Sequence, residues 1–91
     1  MDNTILKTNP SAKASAQPPL RLIVESAVNG YFDQMGDQAI TNLYDLVIAE
    51  VEEPLLKSVM EQTRGNQSKA AVLLGLSRGT LRKKLKLYDL L

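Results

Sequence analysis

The sequence predicts an all-α protein, a four-helix subunit with two long core helices followed by a C-terminal helix-turn-helix, working as a homodimer. Three observations predict it. Apolar residues recur at helical spacing through residues 20–64. Paired capping and turn signals then follow over residues 66–85. Charge is split along the chain: residues 64–91 carry seven cations (Arg64, Lys69, Arg78, Arg82, Lys83, Lys84, Lys86) against Asp89 alone. Residues 20–63 carry eight anions against Arg21 and Lys57. An acidic body holding a basic face implies a polyanionic partner.

Composition narrows the function classes. The 91 residues are 44% apolar, enough for one small domain and too apolar for a disordered chain. Apolar runs are short, so no membrane span is expected, and the polar first twenty residues lack a secretory h-region. The chain therefore reads as cytoplasmic. It has no cysteine and no histidine, which removes disulfides, thiolate metal sites and the commonest general base. No Gly-rich phosphate loop and no carboxylate pair in an apolar setting is visible. No catalysis, cofactor or metal is expected.

Residues 1–19 read as an N-terminal arm. Thr4-Ile5-Leu6-Lys7-Thr8 fits one short strand, with Asn9-Pro10 as the turn of a short β-hairpin; Pro18 and Pro19 close the segment. Residues 20–64 read as the dimerisation core. Its first helix spans about Leu20 to Met35, with Leu20, Ile23, Val24, Ala27, Val28, Tyr31, Phe32 and Met35 on one stripe. Pro19 suits its entry, and Gly36-Asp37 ends it. The second helix is expected from about Asn42 to Arg64, capped by Thr41, kinked at Pro54 and stopped by Gly65. Leu43, Leu46, Val47, Val51, Leu55, Val59 and Met60 line its apolar side. Both stripes are wider than one partner helix needs, and two short helices add little core. A second copy would cover the surplus through Val24, Val28, Tyr31, Phe32, Leu43, Leu46, Val47, Val51 and Leu55.

Residues 65–91 carry the motif. Asn66 caps a short helix to Leu74, Gly75 supplies a positive φ, Leu76 points inward, and Ser77 caps a second helix. Small Ala71, Gly75 four residues later and inward Leu81 six beyond it form the helix-turn-helix register. Ala70, Leu74, Leu76, Leu81 and Leu85 close a core between the helices. Leu87, Leu90 and Leu91 are expected to pack back on the body.

The outward side of the second helix is basic. In major-groove docking the N-terminal residues of such a helix reach base edges. Arg78 is therefore assigned to guanine, whose O6 and N7 its fork bonds together, and Arg82 to a base or the adjacent phosphate. Thr80, Lys83, Lys84 and Lys86 flank them as phosphate clamps. Asn66, Gln67, Ser68 and Lys69 stand at the start of the preceding helix, where amide groups and the helix dipole favour a phosphate.

At these residues the chain closely resembles the Fis (factor for inversion stimulation) family of bacterial nucleoid-associated proteins. The resemblance covers about Pro19 to Lys86. It is carried by Leu43-Tyr44-Asp45-Leu46-Val47, Ala49-Glu50-Val51-Glu52, Pro54-Leu55-Leu56, Thr63-Arg64-Gly65-Asn66-Gln67 and the run Arg78 to Lys86. It implies an intertwined homodimer of long kinked helices that bends duplex DNA at degenerate sites and regulates transcription. By that pattern Arg78 reads guanine, and Asn66, Ser68, Thr80, Arg82, Lys83 and Lys84 contact the backbone. Ser77 stands where the family usually has asparagine, whose longer side chain makes a second contact at the groove edge. The resemblance further implies partners in RNA polymerase and in the DNA invertases that the family's hairpin arms activate; here the arm is short and rich in Ala and Pro.

Three alternatives remain open at this stage. The segment Asn66-Gln67 with Ala70-Ala71 is shared with the detached C-terminal domain of NtrC-type activators, although a chain starting at Met1 favours a free-standing protein. The acidic body could instead serve a helical adaptor that binds proteins. Residues 82–91, basic and apolar, could lie on a membrane surface.

Overall fold

A computed structural model describes residues 18–91. The short strand expected at Thr4–Thr8, and nearly all of the arm, lie outside the described residues. Among those described there are four helices and no strand: α1 (Leu20–Met35), α2 (Leu43–Gln62), α3 (Gln67–Leu74) and α4 (Arg78–Leu87). The chain divides into two compact units between Ala39 and Ile40.

The first unit contains α1, whose bounds are those the apolar stripe predicts. Pro19 precedes it in an extended conformation and its carbonyl accepts from the amides of Leu22 and Ile23. Gly36, at φ +59°, ends it by donating to the Phe32 carbonyl at 3.2 Å. No residue of α1 is buried within the single chain, and Leu20, Leu22, Ile23 and Phe32 are exposed.

The second unit holds α2, α3 and α4, with α3 packed against both of the others. Helix α2 begins one residue later than expected. Asn42 rather than Thr41 takes the cap position, without a side-chain bond to the first turn. Asp45 lies in that turn, where its charge favours the dipole. The helix continues through Pro54.

The end of α2 differs from the sequence reading in an instructive way. The helix stops at Gln62, and the left-handed residue is Arg64 (φ +53°), not Gly65 alone (φ +80°). The Gly65 amide reaches the Met60 carbonyl at 2.9 Å and the Arg64 amide reaches Glu61 at 3.2 Å. This pair of bonds is the Schellman pattern, which satisfies carbonyls the helix would otherwise leave open. Thr63 adds a third closure, its hydroxyl donating to the Val59 carbonyl at 3.0 Å.

The same device recurs twice. After α3, Leu76 donates to Ala71 (3.0 Å) and Gly75 to Val72 (3.2 Å), with Gly75 at φ +73°, ψ +28° as its sequence position predicts. After α4, Leu90 donates to Leu85 (2.7 Å) and Asp89 to Lys86 (3.1 Å), with Asp89 left-handed at φ +58°. The last closure folds Leu90 against the core, as expected. Leu87 and Leu91 instead stay exposed: Leu87, two residues past Leu85, falls on the outer side of α4, and Leu91 lies beyond the closing turn.

The core of this unit is Leu56, Ala70, Ala71, Leu81 and Leu85, with Val59, Met60, Leu74, Tyr88 and Leu90 packed around it. Ala70, Leu81 and Leu85 close the α3–α4 junction as the spacing predicts. Leu76 is only half-buried. Leu56 is the core residue that the sequence reading passed over in favour of Leu55. Leu56 is 1% exposed and Leu55 48%. Leu56 shares its stripe with Val59 and Met60, three and four residues on, so beyond Pro54 the inward face of α2 is the one turned to α3 and α4.

Candidate nucleic-acid interface

Two side-chain caps start the two short helices. The Asn66 carboxamide oxygen accepts from the Lys69 amide at 3.0 Å, and Ser77 Oγ accepts from the Thr80 amide at 3.1 Å. Ser77 Oγ also donates to Thr80 Oγ1 at 3.0 Å, so the hydroxyls of both residues are oriented at the head of α4. With Leu81 and Leu85 sealed inward, Arg78, Arg82, Lys83 and Lys86 are exposed along α4. Asn66, Ser68 and Lys69 are exposed at the head of α3, with Gln67 half-buried beside them.

The two helices are also tied across their polar surface. Arg82 Nη1 donates to Gln67 Oε1 at 3.0 Å. A guanidinium has five donors, so this bond fixes the direction of Arg82 while leaving others for an anion. Sequence reading placed both residues in the site but had no means of pairing them across fifteen positions.

Lys84 has a different setting from the other cations. Its ammonium lies 2.7 Å from Glu52 Oε2, on α2, with Lys84 and Glu52 side chains 33% and 20% exposed. The other oxygen of that carboxylate, Oε1, accepts from the Tyr88 hydroxyl at 2.7 Å. Glu52 thus holds α4 through Lys84 and, one helical turn on, through Tyr88 at its C-terminal cap. Helical spacing places Tyr88 on the inward side of this helix with Leu81 and Leu85, and the structure packs it there, but no sequence signal brings Glu52 to it.

These contacts shift both titrations. Lys84 and the Tyr88 hydroxyl, each bonded to the charged carboxylate, hold Glu52 below the usual 4.5, against the opposing effect of burial. The Glu52 bond, with burial, pushes the Tyr88 phenol from 10.0 up to about 12. A depressed acid stabilises the fold above its unfolded value and stops doing so as pH falls through the folded one. A raised phenol stabilises below its unfolded value and is lost as pH rises through the folded one. Urea titrations of wild type and Glu52→Gln are therefore expected to differ most between about pH 5 and 10, with the wild type the more stable there. The difference narrows on the acid side below 4.5 and on the alkaline side between 10.0 and about 12. A difference independent of pH would contradict the arrangement.

Among the described residues no cluster of three or more Asp or Glu side chains is disposed to hold a metal ion. No helix among them is long and apolar enough to cross a membrane.

A left-handed glycine turn, a small buried alanine at the crossing, capped helices on either side and a basic second helix define this chain as a helix-turn-helix protein. Residues 47–88 match the domain family described as "Bacterial regulatory protein, Fis family". The chain is 51% identical over 87 residues to the DNA-binding protein Fis of Pectobacterium carotovorum, covering 96% of this chain and 88% of the relative. It is 55% identical over 74 residues to the DNA-binding protein Fis of Yersinia enterocolitica, covering 81% and 76% respectively. The chain belongs to the Fis family.

Proposed function

We propose that this chain is a homodimeric, DNA-binding and DNA-bending nucleoid-associated protein of the bacterial cytoplasm. It acts as a transcriptional regulator and works by binding rather than catalysis. The observation that carries this reading is α4 itself: two leucines sealed inward and an exposed row of Arg78, Arg82, Lys83 and Lys86 outward, with Ser77 capping the helix beside Thr80. The relatives named as DNA-binding proteins support it over most of the chain.

In this reading Arg78, at the first turn of α4, enters the major groove and reads guanine. Arg82, steered by Gln67, reaches a base edge or the next phosphate. Ser77 stands at the groove edge. Asn66, Gln67, Ser68, Lys69, Thr80, Lys83 and Lys86 fix the register on phosphates. Lys84 is the phosphate-contacting cation whose charge Glu52 already compensates.

The dimer is supported by what α1 lacks. A helix with a broad apolar stripe and no buried residue in the single chain needs cover. Val24, Val28, Tyr31 and Phe32 of α1, and Leu43, Leu46, Val47, Val51 and Leu55 of α2, are all half-buried or exposed and supply the interface.

Sedimentation of the free protein, combined with fluorescence-anisotropy titration of a mixed-sequence duplex, tests the reading. A dimer whose affinity falls steeply with salt is expected. A monomer indifferent to duplex DNA at low salt would favour the protein-binding adaptor.

A further inference from the structure

The basic face formed by residues 64–91 contains a carboxylate that comes from outside it. Glu52 of α2 sits 2.7 Å from the Lys84 ammonium and 2.7 Å from the Tyr88 hydroxyl. A carboxylate oxygen and a phosphate oxygen offer an ammonium the same chemistry, a charged acceptor at hydrogen-bond distance. Glu52 therefore competes with any phosphate for Lys84. If Lys84 stays, its charge is already compensated. If it leaves, Glu52 remains as an anion facing the same phosphates. In both cases Lys84 and Glu52 together add no net positive charge.

We propose that Glu52 limits the protein's sequence-independent affinity for DNA: by holding Lys84 it withholds one cation per subunit from phosphate binding. The inference rests on the DNA-binding reading above. Phosphate contacts supply nearly all non-specific affinity, whereas base contacts supply discrimination. Cancelling a phosphate cation lowers the sequence-independent part of every complex, specific or not, and so sets overall affinity and its salt dependence while leaving discrimination to Arg78. Tyr88 strengthens the device by bonding the second carboxylate oxygen, which keeps Glu52 aimed at Lys84 rather than at solvent.

The test is a salt series on the full chain with a fluorescent mixed-sequence duplex, comparing wild type, Glu52→Gln, Tyr88→Phe and the double variant Glu52→Gln/Lys84→Met. Glu52→Gln is expected to bind several-fold more tightly at ~0.1 M salt, with a log–log salt slope steeper by about 0.9 per subunit. The double variant returns to the wild-type slope, and Tyr88→Phe steepens it by less than Glu52→Gln does, since the Lys84–Glu52 pair remains. Binding weakened alike by Glu52→Gln and Tyr88→Phe, or a slope that Glu52→Gln leaves unchanged, would overturn the proposal and leave Glu52 a mere latch. Should Glu52→Gln melt below the assay temperature, Glu52→Asp draws the carboxylate back by one methylene. It is expected to steepen the slope in the same sense, and no steepening overturns the proposal. Failure of the wild type itself to bind at low salt would sink the DNA-binding reading, and the inference with it.

Discussion

Leu81→Ala is expected to cost about 3–4 kcal/mol, the largest loss of stability from any single truncation in α3 or α4. Leu81 is wholly buried, and its neighbours in the core are Leu56, Ala70, Ala71 and Leu85. Two of those are alanines, whose side chains cannot move to fill the space an isobutyl group leaves. The second unit is small, and small domains have only ~0.05–0.15 kcal/mol of stability per residue. A loss of this size removes much of what holds α4 in place. Urea unfolding followed by circular dichroism measures it, with Leu73→Ala as the control on an exposed leucine of α3. The control is expected to stay within ~0.5 kcal/mol of wild type. A Leu81→Ala loss as small as the control's would mean the α3–α4 junction is not the core of this unit.

Arg78→Ala is expected to erase preference for a guanine-bearing site at a cost of ~1–3 kcal/mol per contact, roughly 5- to 150-fold in affinity. Arg78 is the first residue of α4 and is exposed, so its removal costs the fold little. The Ser77–Thr80 cap does not depend on it. The loss should fall on the specific duplex alone and leave binding to mixed-sequence DNA with most of its strength. Competition titrations with guanine-bearing and adenine-substituted duplexes measure the ratio. An unchanged ratio would remove Arg78 from base reading and shift that role to Arg82.

Local signals in the sequence carried most of the fold. The α1 stripe predicts its bounds to the residue. Asn66, Gly75 and Ser77 act where a cap, a left-handed turn and a second cap were expected, because each effect is confined to a few neighbouring residues. What was hidden depends on longer range or on competition between equivalent patterns. Leu55 and Leu56 stand side by side after Pro54, and periodicity alone gives both a claim to the core. The choice falls to Leu56 because α3 and α4 pack on that side. Arg64 takes a left-handed conformation that a sequence reading gives to Gly65, since the stop needs both residues and glycine is the usual marker. The Glu52 clamp on Lys84 and Tyr88 spans up to 36 positions and leaves no spacing signature. From sequence, Lys84 looked like its neighbours Lys83 and Lys86. The packing of α2 against α4 sets it apart.

The central claim is that a dimer of this chain places two α4 helices on one duplex and bends it. A gel-mobility assay with circularly permuted duplexes, run beside a size measurement of the free protein, tests that claim most directly. A retarded complex of dimer stoichiometry, slowest when the binding site lies at the centre of the fragment, is the expected result. A complex whose mobility ignores the position of the site would contradict the bending, and no complex at low salt would contradict the claim as a whole.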